Sequence, residues 1–331
     1  MGQDFRDLRG KRIIITGGAG MLGSTIADLA LQFGAEVTVV DAMLPLYGGN
    51  RFNLPEAHER LTLVNGDIRD AVLMQRLIES ADCLFSLAAQ VSYVDSNSDA
   101  FMDLDINCRG HLNVLEACRG SGRRPKVIFA SSRFVYGAIQ YYPVDENHPL
   151  NCLSIYGIHK LAGEKYHRFY YDAYGIPTVS LRIANPYGPR QQMKHNKYGI
   201  VNWFIRMALE GKPLTVYGDG AQVRDYIYVD DLANAVVAVA LAPETDGETY
   251  NVGSGVGARF REMADLIAEE IPGTVVTSVP WPANRAFVET GDYLTDVKKF
   301  CSATSWSPKV SLQEGIRRTI AYYREHRRHY W

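Results

Sequence analysis

The sequence predicts an α/β chain, a doubly wound parallel sheet followed by a smaller, mixed α/β part toward the C-terminus. Three observations carry that expectation. Short runs rich in β-branched residues alternate with helical stretches from Lys11 to Ile183, the order of a parallel sheet covered on both faces. A glycine-rich turn, GGAGMLG, joins the first apolar run to the first helical stretch. After Asn185 the alternation breaks into NPYGPRQQMKHNKYG, a loop dense in polar and turn residues, and the later elements are shorter and mixed.

Taken in order, KRIIIT reads as a strand, GGAGMLG as a tight turn and STIADLALQFG as a helix. A second strand, EVTVVD, ends at Asp41, and residues 42–59, with Pro45, Gly48, Gly49, Asn50 and Pro55, read as a surface loop. The strand LTLVNGD, the helix DAVLMQRLIES, the strand DCLFSLAA and a long helix from about Phe101 to Cys118 follow. Then come the strand KVIFAS, a loop, a helix from about Ile155 to Tyr174 and the strand TVSLRI. The expected division assigns residues 1–185 and 222–257 to a nucleotide-binding domain, and residues 186–221 and 258–331 to a second, substrate-binding one.

Composition excludes several classes of function. At 331 residues and 47% hydrophobic content the chain can bury a sizeable core, and its net charge of -2 offers no excess cation to neutralise a nucleic-acid backbone. No apolar run approaches the roughly 18 residues that span a bilayer, and MGQDFRDLRGKR lacks a signal-peptide core, so no membrane partner and a cytoplasmic location are expected. Five cysteines, Cys83, Cys108, Cys118, Cys152 and Cys301, form no CxxC pair and read as reduced thiols. His326 and His329, in the charged tail REHRRHYW, read as a solvated helix end rather than a metal site.

Gly17, Gly20 and Gly23 give the spacing GxxGxxG between strand and helix, the Rossmann-type arrangement in which bare backbone approaches a pyrophosphate at a helix N-terminus. Asp41 ends the next strand about 20 residues on, where its carboxylate can accept hydrogen bonds from a ribose and would repel a 2'-phosphate. NAD is therefore expected rather than NADP. Asp67, in NGDIRD, is placed near the adenine, although a helix N-cap would give the same letters.

In ASSRFVYG two serines end the apolar run Val127–Ala130, and in YGIHK Tyr156 and Lys160 stand one helical turn apart. An ammonium beside a phenol favours the phenolate, as a general base requires. The end of a parallel strand faces the cofactor crevice, so Ser132 is expected near the nicotinamide and Ser131 beside it in a supporting role.

TGGAGMLGS, LAAQ, SSRFVYG, YGIHK, LRIANPYGPRQ and YGDGAQVRDYIYVDD together resemble the successive motifs of the extended short-chain dehydrogenase/reductase family, the NAD-dependent nucleotide-sugar epimerases and dehydratases. The resemblance implies Tyr156 as base, Lys160 as its partner and nicotinamide-ribose ligand, and Ser132 as the hydroxyl beside the substrate. It implies a cofactor site of Gly17, Gly20, Met21, Leu22, Gly23, Asp41, Asp67, Ile68, Leu87, Ala88, Ala89 and Asn107, together with Tyr156 and Lys160. A nucleotide-diphosphate sugar would meet Ser132, Asn185, Arg190, Asn202, Tyr217 and Arg224, with Arg224 on the diphosphate. Ser86, where similar proteins carry histidine, and Met21, where they carry phenylalanine, depart from the pattern.

The same resemblance bears on the reaction. Similar 4,6-dehydratases follow the hydroxyl residue with an Asp-Glu pair that removes water across C5 and C6; here those places hold Arg133 and Phe134, and neither can shuttle that proton. Inversion at C4 of an NDP-hexose or NDP-hexuronate, through a transient keto sugar and with NAD held tightly, is the leading expectation. The alternatives are a 4,6-dehydratase, an epimerase at another carbon and a reductase that exchanges NAD(H). Arg190 could meet a sugar carboxylate, a phosphate or a salt-bridge partner, and Lys194, His195 and Lys197 could supply a further base or simply cover the substrate. The helices from about 101 to 118 and 155 to 174 imply a homodimer built on a four-helix bundle.

Overall fold

The computed structural model describes residues 5–45, 47–281 and 289–331. Its main sheet is built from β1 (Arg12–Thr16), β2 (Glu36–Asp41), β3 (Leu61–Asn65), β4 (Cys83–Ser86), β5 (Lys126–Ser132), β6 (Thr178–Ile183) and β10 (Thr249–Val252). The strand order is β3-β2-β1-β4-β5-β6-β10, every neighbouring pair is parallel, and the order reverses between β1 and β4. In such a sheet the crevice for a ligand opens at the C-terminal ends of the strands on either side of that reversal.

The apolar runs are continuous because both faces are covered. Ile13 and Ile15 of β1 belong to one core with α1 (Met21–Gln32) and α8 (Val229–Ala240). Ile14 belongs to a second core with α2 (Ala71–Ile78), α5 (His111–Gly120) and Tyr170 of α6 (Ile155–Tyr174). Successive side chains of a strand point to opposite faces, so each isoleucine buried here contributes about 1.5–3 kcal/mol to one layer or the other.

The helix expected from Phe101 to Cys118 is interrupted. It comprises α4 (Ala100–Leu104), a π turn (Asp105–Gly110) and α5, and α3 (Tyr93–Ser98) precedes it. From the π turn Asn107 Nδ2 donates to the Gln90 carbonyl at 2.9 Å. The loop expected over residues 42–59 is anchored rather than freely solvated: Asn53 and Leu54 are buried, and Asn50 caps a single 3-10 turn, Arg51–Asn53.

Beyond β6 the chain starts a separate layer. β7 (Asn185–Tyr187), β9 (Val223–Tyr228) and β11 (Gly257–Arg259) form one small sheet, and β8 (Leu214–Tyr217) pairs with β12 (Val276–Val279) in another. These pack with α7 (Ile200–Leu209), α9 (Phe260–Glu270) and α11 (Leu312–His326) around their own core of Phe204, Ile205, Met263, Ile267, Ile316 and Tyr323. β9 lies between the two parts: Ile227 faces the first core while Tyr226 and Tyr228 face the other. After β12 the chain returns to the main sheet, where Phe300 of α10 (Lys298–Thr304) and Trp306 enter the first core. Among the described residues no helix is long and apolar enough to cross a membrane, and all five cysteines are free thiols.

Candidate active site

The loops leaving β1, β4, β5 and β6 enclose one cavity of about 510 Å³, which the second layer closes from the far side. Gly17, Gly20, Met21, Leu22, Gly23, Asp41, Asp67, Ile68, Leu87, Ala88 and Ala89 all line it. Gly20 caps α1 without any side-chain hydrogen bond, so the first N–H groups of that helix remain for an anion. Gly17 sits at φ +67°, and a Cβ there would come within 2.9 Å of the Ala88 backbone; only glycine fits.

Asp41 is oriented by the backbone around it. Its Oδ2 accepts from Ala19 N–H at 3.0 Å and its Oδ1 from Met43 N–H at 2.9 Å. Burial raises its carboxyl above the ordinary range, and those two hydrogen bonds oppose the rise. Asp67 does not cap α2, a place taken by Asp70, whose Oδ1 accepts from Leu73 N–H at 3.0 Å. Asp67 instead holds Arg69, with Arg69 NH2 donating to Oδ2 at 2.6 Å. Burial would raise its carboxyl, but Arg69 outweighs that and holds it below the usual range. An open helix N-terminus, a glycine cradle and a fixed carboxylate at the end of β2 fit a dinucleotide, and when bound NAD supplies a hydride acceptor.

The residues expected to react meet where β5 ends. Ser132, Tyr156 and Lys160 line the cavity together, with Ser132 near enough to the Tyr156 phenol to favour its ionised form. Ser154, two residues before Tyr156, caps α6 by accepting from Gly157 N–H at 3.1 Å, so that the helix starts at Ile155. Burial pushes the Tyr156 phenol up to about 12, against the opposing effect of Ser132. Burial also pulls the Lys160 ammonium down to about 8, against the charges of Asp103, Cys108 and Glu164. Lys160 Nζ donates to the Ala130 carbonyl at 2.8 Å and lies 5.9 Å from the centre of the Tyr156 ring.

Ser131 points away from this pair. Its hydroxyl donates to Glu164 Oε1 at 2.5 Å, and Glu164 accepts from Arg182 at 2.8 Å in a buried ion pair. That pair ties β5, α6 and β6 together directly behind the reacting groups.

On the substrate side Arg133 Nε donates to Asn185 Oδ1 at 3.0 Å and its NH1 to Thr290 Oγ1 at 3.1 Å. Its guanidinium lies over Phe134 at 4.7 Å and Tyr293 at 5.2 Å. Burial, and then repulsion from Arg224, lower it to about 10. Phe134 stacks on Tyr93 and meets the edge of Tyr156, with ring centres 5.2 and 5.9 Å apart respectively. Asn185 Nδ2 donates to the Asp225 carbonyl at 2.7 Å. Arg224 pairs with Glu289, rather than with Asp225 or Asp230, and donates to the Val223 and Gly291 carbonyls. Tyr217 lines the cavity beside Trp281, their ring centres 5.5 Å apart.

Three expected residues stand apart from the cavity wall. Asn107 lies buried beneath it, and among the described residues its Oδ1 has no hydrogen-bond partner. Arg190 turns to Asp28 of α1, with NH2 at 2.5 Å from Oδ2. Asn202 is fully buried and locks the backbone of Gly188, accepting from its N–H at 3.1 Å and donating to its carbonyl. In the loop after β7, Asn196, Lys197 and Tyr198 line the cavity, Lys197 pairs with Asp95 at 2.7 Å, and Lys194 reaches the Pro45 carbonyl at 3.5 Å.

Several contacts around the site carry no signal in the sequence. Ser86 Oγ meets His111 Nδ1 at 2.9 Å, so an imidazole from α5 stands beside the serine that departs from the expected pattern. Burial, with Lys160 and His167 adding to it, keeps His111 well below the ordinary imidazole range and therefore neutral. His159 binds the buried Asp103 at 2.6 Å. The aromatic Trp281, between two prolines, is legible along the chain only as an isolated residue; the pairing of β8 with β12 brings it beside Tyr217.

Residues 13–253 match the family described as NAD dependent epimerase/dehydratase. The chain is 34% identical over 319 residues to a UDP-glucose 4-epimerase of Mycolicibacterium smegmatis, covering 95% of this chain and 98% of that one. An epimerase structure from Methanothermobacter thermautotrophicus superposes with a TM-score of 0.91 at 30% identity, covering 98% of this chain and 95% of the other. A dTDP-glucose 4,6-dehydratase from Streptomyces venezuelae, solved with NAD bound, superposes with a TM-score of 0.86 at 31% identity, covering 96% and 98%. The chain belongs to the NAD-dependent epimerase/dehydratase family. Within it, relatives that invert a carbon and relatives that remove water are similar to this chain to nearly the same degree, and the site itself has to distinguish the two.

Proposed function

We propose that the protein is a nucleotide-sugar epimerase that inverts C4 of an NDP-hexose or NDP-hexuronate and keeps its NAD through the cycle. The observation that carries this reading is the pair of side chains next to Ser132: a guanidinium held by Asn185 and Thr290, then a phenyl ring packed between Tyr93 and Tyr156. Neither side chain can move a proton between C5 and C6. Tyr156 would take the proton of the C4 hydroxyl as the C4 hydride is given up to the nicotinamide, and would return it once the keto sugar has turned over and C4 has regained that hydride on its other face. Ser132 orients the hydroxyl, and the Lys160 ammonium favours the phenolate. The similarity to a protein named UDP-glucose 4-epimerase supports the same reaction.

Arg133 favours a hexuronate within that class. Among the described residues no carboxylate pairs with it, whereas Arg224 has Glu289. A guanidinium so placed suits a sugar carboxylate, for which its planar fork supplies two donors. Arg190, already paired with Asp28, is less well placed for that role.

Purified protein incubated with UDP-glucose, UDP-glucuronate and their dTDP, GDP and CDP counterparts, with products read by NMR, tests the proposal. The absence of C4 inversion in every case would sink it. Net absorbance at the NADH wavelength that scales with substrate would favour the exchanging reductase instead. Arg133→Gln should cost UDP-glucuronate roughly thirtyfold more in kcat/KM than UDP-glucose; equal losses would reject the carboxylate contact.

The working unit is proposed to be a cytoplasmic homodimer. Phe101, Leu104, Ile158 and Phe169, on the α4 and α6 face, are exposed, Phe101 to 81%, which is the kind of apolar surface a second copy covers. A division into two domains is supported by the separate core of the second layer, with β9 shared between the parts; Tyr293, Phe300 and Trp306 pack in the first core and count against placing the whole of 258–331 in the second domain.

A further inference from the structure

The loop between β2 and β3 runs over the glycine turn. Gly48 and Gly49 line the cavity beside Gly20 and Asp41, and a Cβ on Gly49 would come within 2.5 Å of Asp41 Oδ1. The loop is tied to the turn at one atom: the Ala19 carbonyl accepts from Asn50 N–H at 3.0 Å and from Asn53 Nδ2 at 2.8 Å. Ala19 N–H in turn holds Asp41. The loop, the glycine turn and the ribose-facing carboxylate thus form one hydrogen-bonded unit.

The outer side of that loop is held by residues about 280 positions away, in the segment after α11. Tyr330, which is buried, donates from its hydroxyl to Asn53 Oδ1 at 2.6 Å. Asn50 Nδ2 donates to the His329 carbonyl at 2.9 Å. The Phe52 and His329 rings stack with centres 3.6 Å apart and planes within 5°. Asn53 Nδ2 also reaches the Arg190 carbonyl at 3.0 Å, so the loop touches the second layer at two points.

Asn53 is the hub. Its amide donates to Ala19 and Arg190, its oxygen accepts from Tyr330, and it is 3% exposed. A buried amide so committed fixes one rotamer, and that rotamer fixes how the loop lies on the turn. The tail REHRRHYW is consequently not a solvated helix end: His329 and Tyr330 are both engaged with the loop.

We propose that Tyr330 and His329 form a clasp that holds the Gly48–Asn53 loop closed over the dinucleotide site, so that the second layer sets how slowly NAD leaves. Tyr330 and Asn53 are positioning residues; they act through the loop. The proposal rests on the cofactor assignment alone and is independent of which sugar is the substrate.

The test measures exchange of bound NAD for isotopically labelled NAD in the intact protein, alongside thermal unfolding. Tyr330→Phe removes the donor to Asn53 and should speed exchange by about tenfold, as the loss of one buried hydrogen bond predicts. Phe52→Ala, at a residue 40% exposed, removes the stack on His329 without opening a core, and should speed exchange in the same direction. Unchanged exchange in both variants, or a fall in Tm with exchange unchanged, overturns the clasp. Wild-type protein that binds no NAD would instead overturn the cofactor assignment, an outcome distinguishable from the other two.

Discussion

Replacing Lys160 by methionine keeps most of its volume and removes the ammonium, and the geometry sets the size of the effect. Burial holds Tyr156 at about 12 and Lys160 at about 8, so phenolate and ammonium coexist in only a small fraction of free enzyme. Across the 5.9 Å from Nζ to the ring centre, Coulomb's law with an effective dielectric of about 20 gives ~3 kcal/mol of attraction, or ~2 pKa units. Below about pH 8 the wild-type kcat/KM should rise about tenfold per pH unit, as the phenol ionises beside a cation that is still charged. Above it the curve should level off, because each gain in phenolate is matched by a loss of ammonium. Lys160→Met should start about a hundredfold lower near neutral pH and rise without levelling at about pH 8, so that the deficit narrows as pH increases. Initial rates of C4 inversion across the pH range, with retained NAD measured in parallel, provide the assay. Equal activities refute the electrostatic pairing. A deficit constant across the pH range, accompanied by lost NAD, shows that the lysine only holds the cofactor.

Three further outcomes are expected. Tyr156→Phe should lower kcat by about 10³-fold or more while sparing NAD content, since Ser132 Oγ keeps the Phe134 N–H as a donor; unchanged turnover would remove Tyr156 as the base. Glu164→Ala strands the buried Arg182 guanidinium and should cost about 3–5 kcal/mol in urea unfolding, and a loss under about 1 kcal/mol would mean that water or Tyr136 compensates. Gly17→Ala places a methyl against the Ala88 backbone at a left-handed φ, so the purified protein should carry less NAD and melt at a lower temperature; full NAD content with an unchanged Tm would refute the close-approach argument.

Much of this is legible along the chain because it is local. Strand, glycine turn and helix succeed one another within Arg12–Gln32, and Tyr156 and Lys160 are brought to one face by helical spacing alone. Asp41 needs only the end of a strand to be recognised. The expected helix over 101–118 hides a π turn, because periodicity does not reveal an extra residue per turn when both faces are apolar. The expected surface loop at 42–59 hides Asn53, whose three partners come from three distant segments.

The sequence by itself determined the succession of strands and helices, the glycine turn and the one-turn spacing that sets Tyr156 and Lys160 on one helix face, because each rests on contacts within a turn or between adjacent elements. Only the tertiary structure decided which of the candidate arginines has no carboxylate partner among the described residues. As letters Arg190 is the candidate for a sugar carboxylate and Arg133 only the residue that replaces a dehydratase acid, but packing brings Asp28 to the first and leaves the second with an amide, a hydroxyl and two rings. The same holds for His111 beside Ser86 and for Tyr330 on Asn53. A buried polar group takes whatever partner the fold delivers, and that partner is fixed only when the layers close.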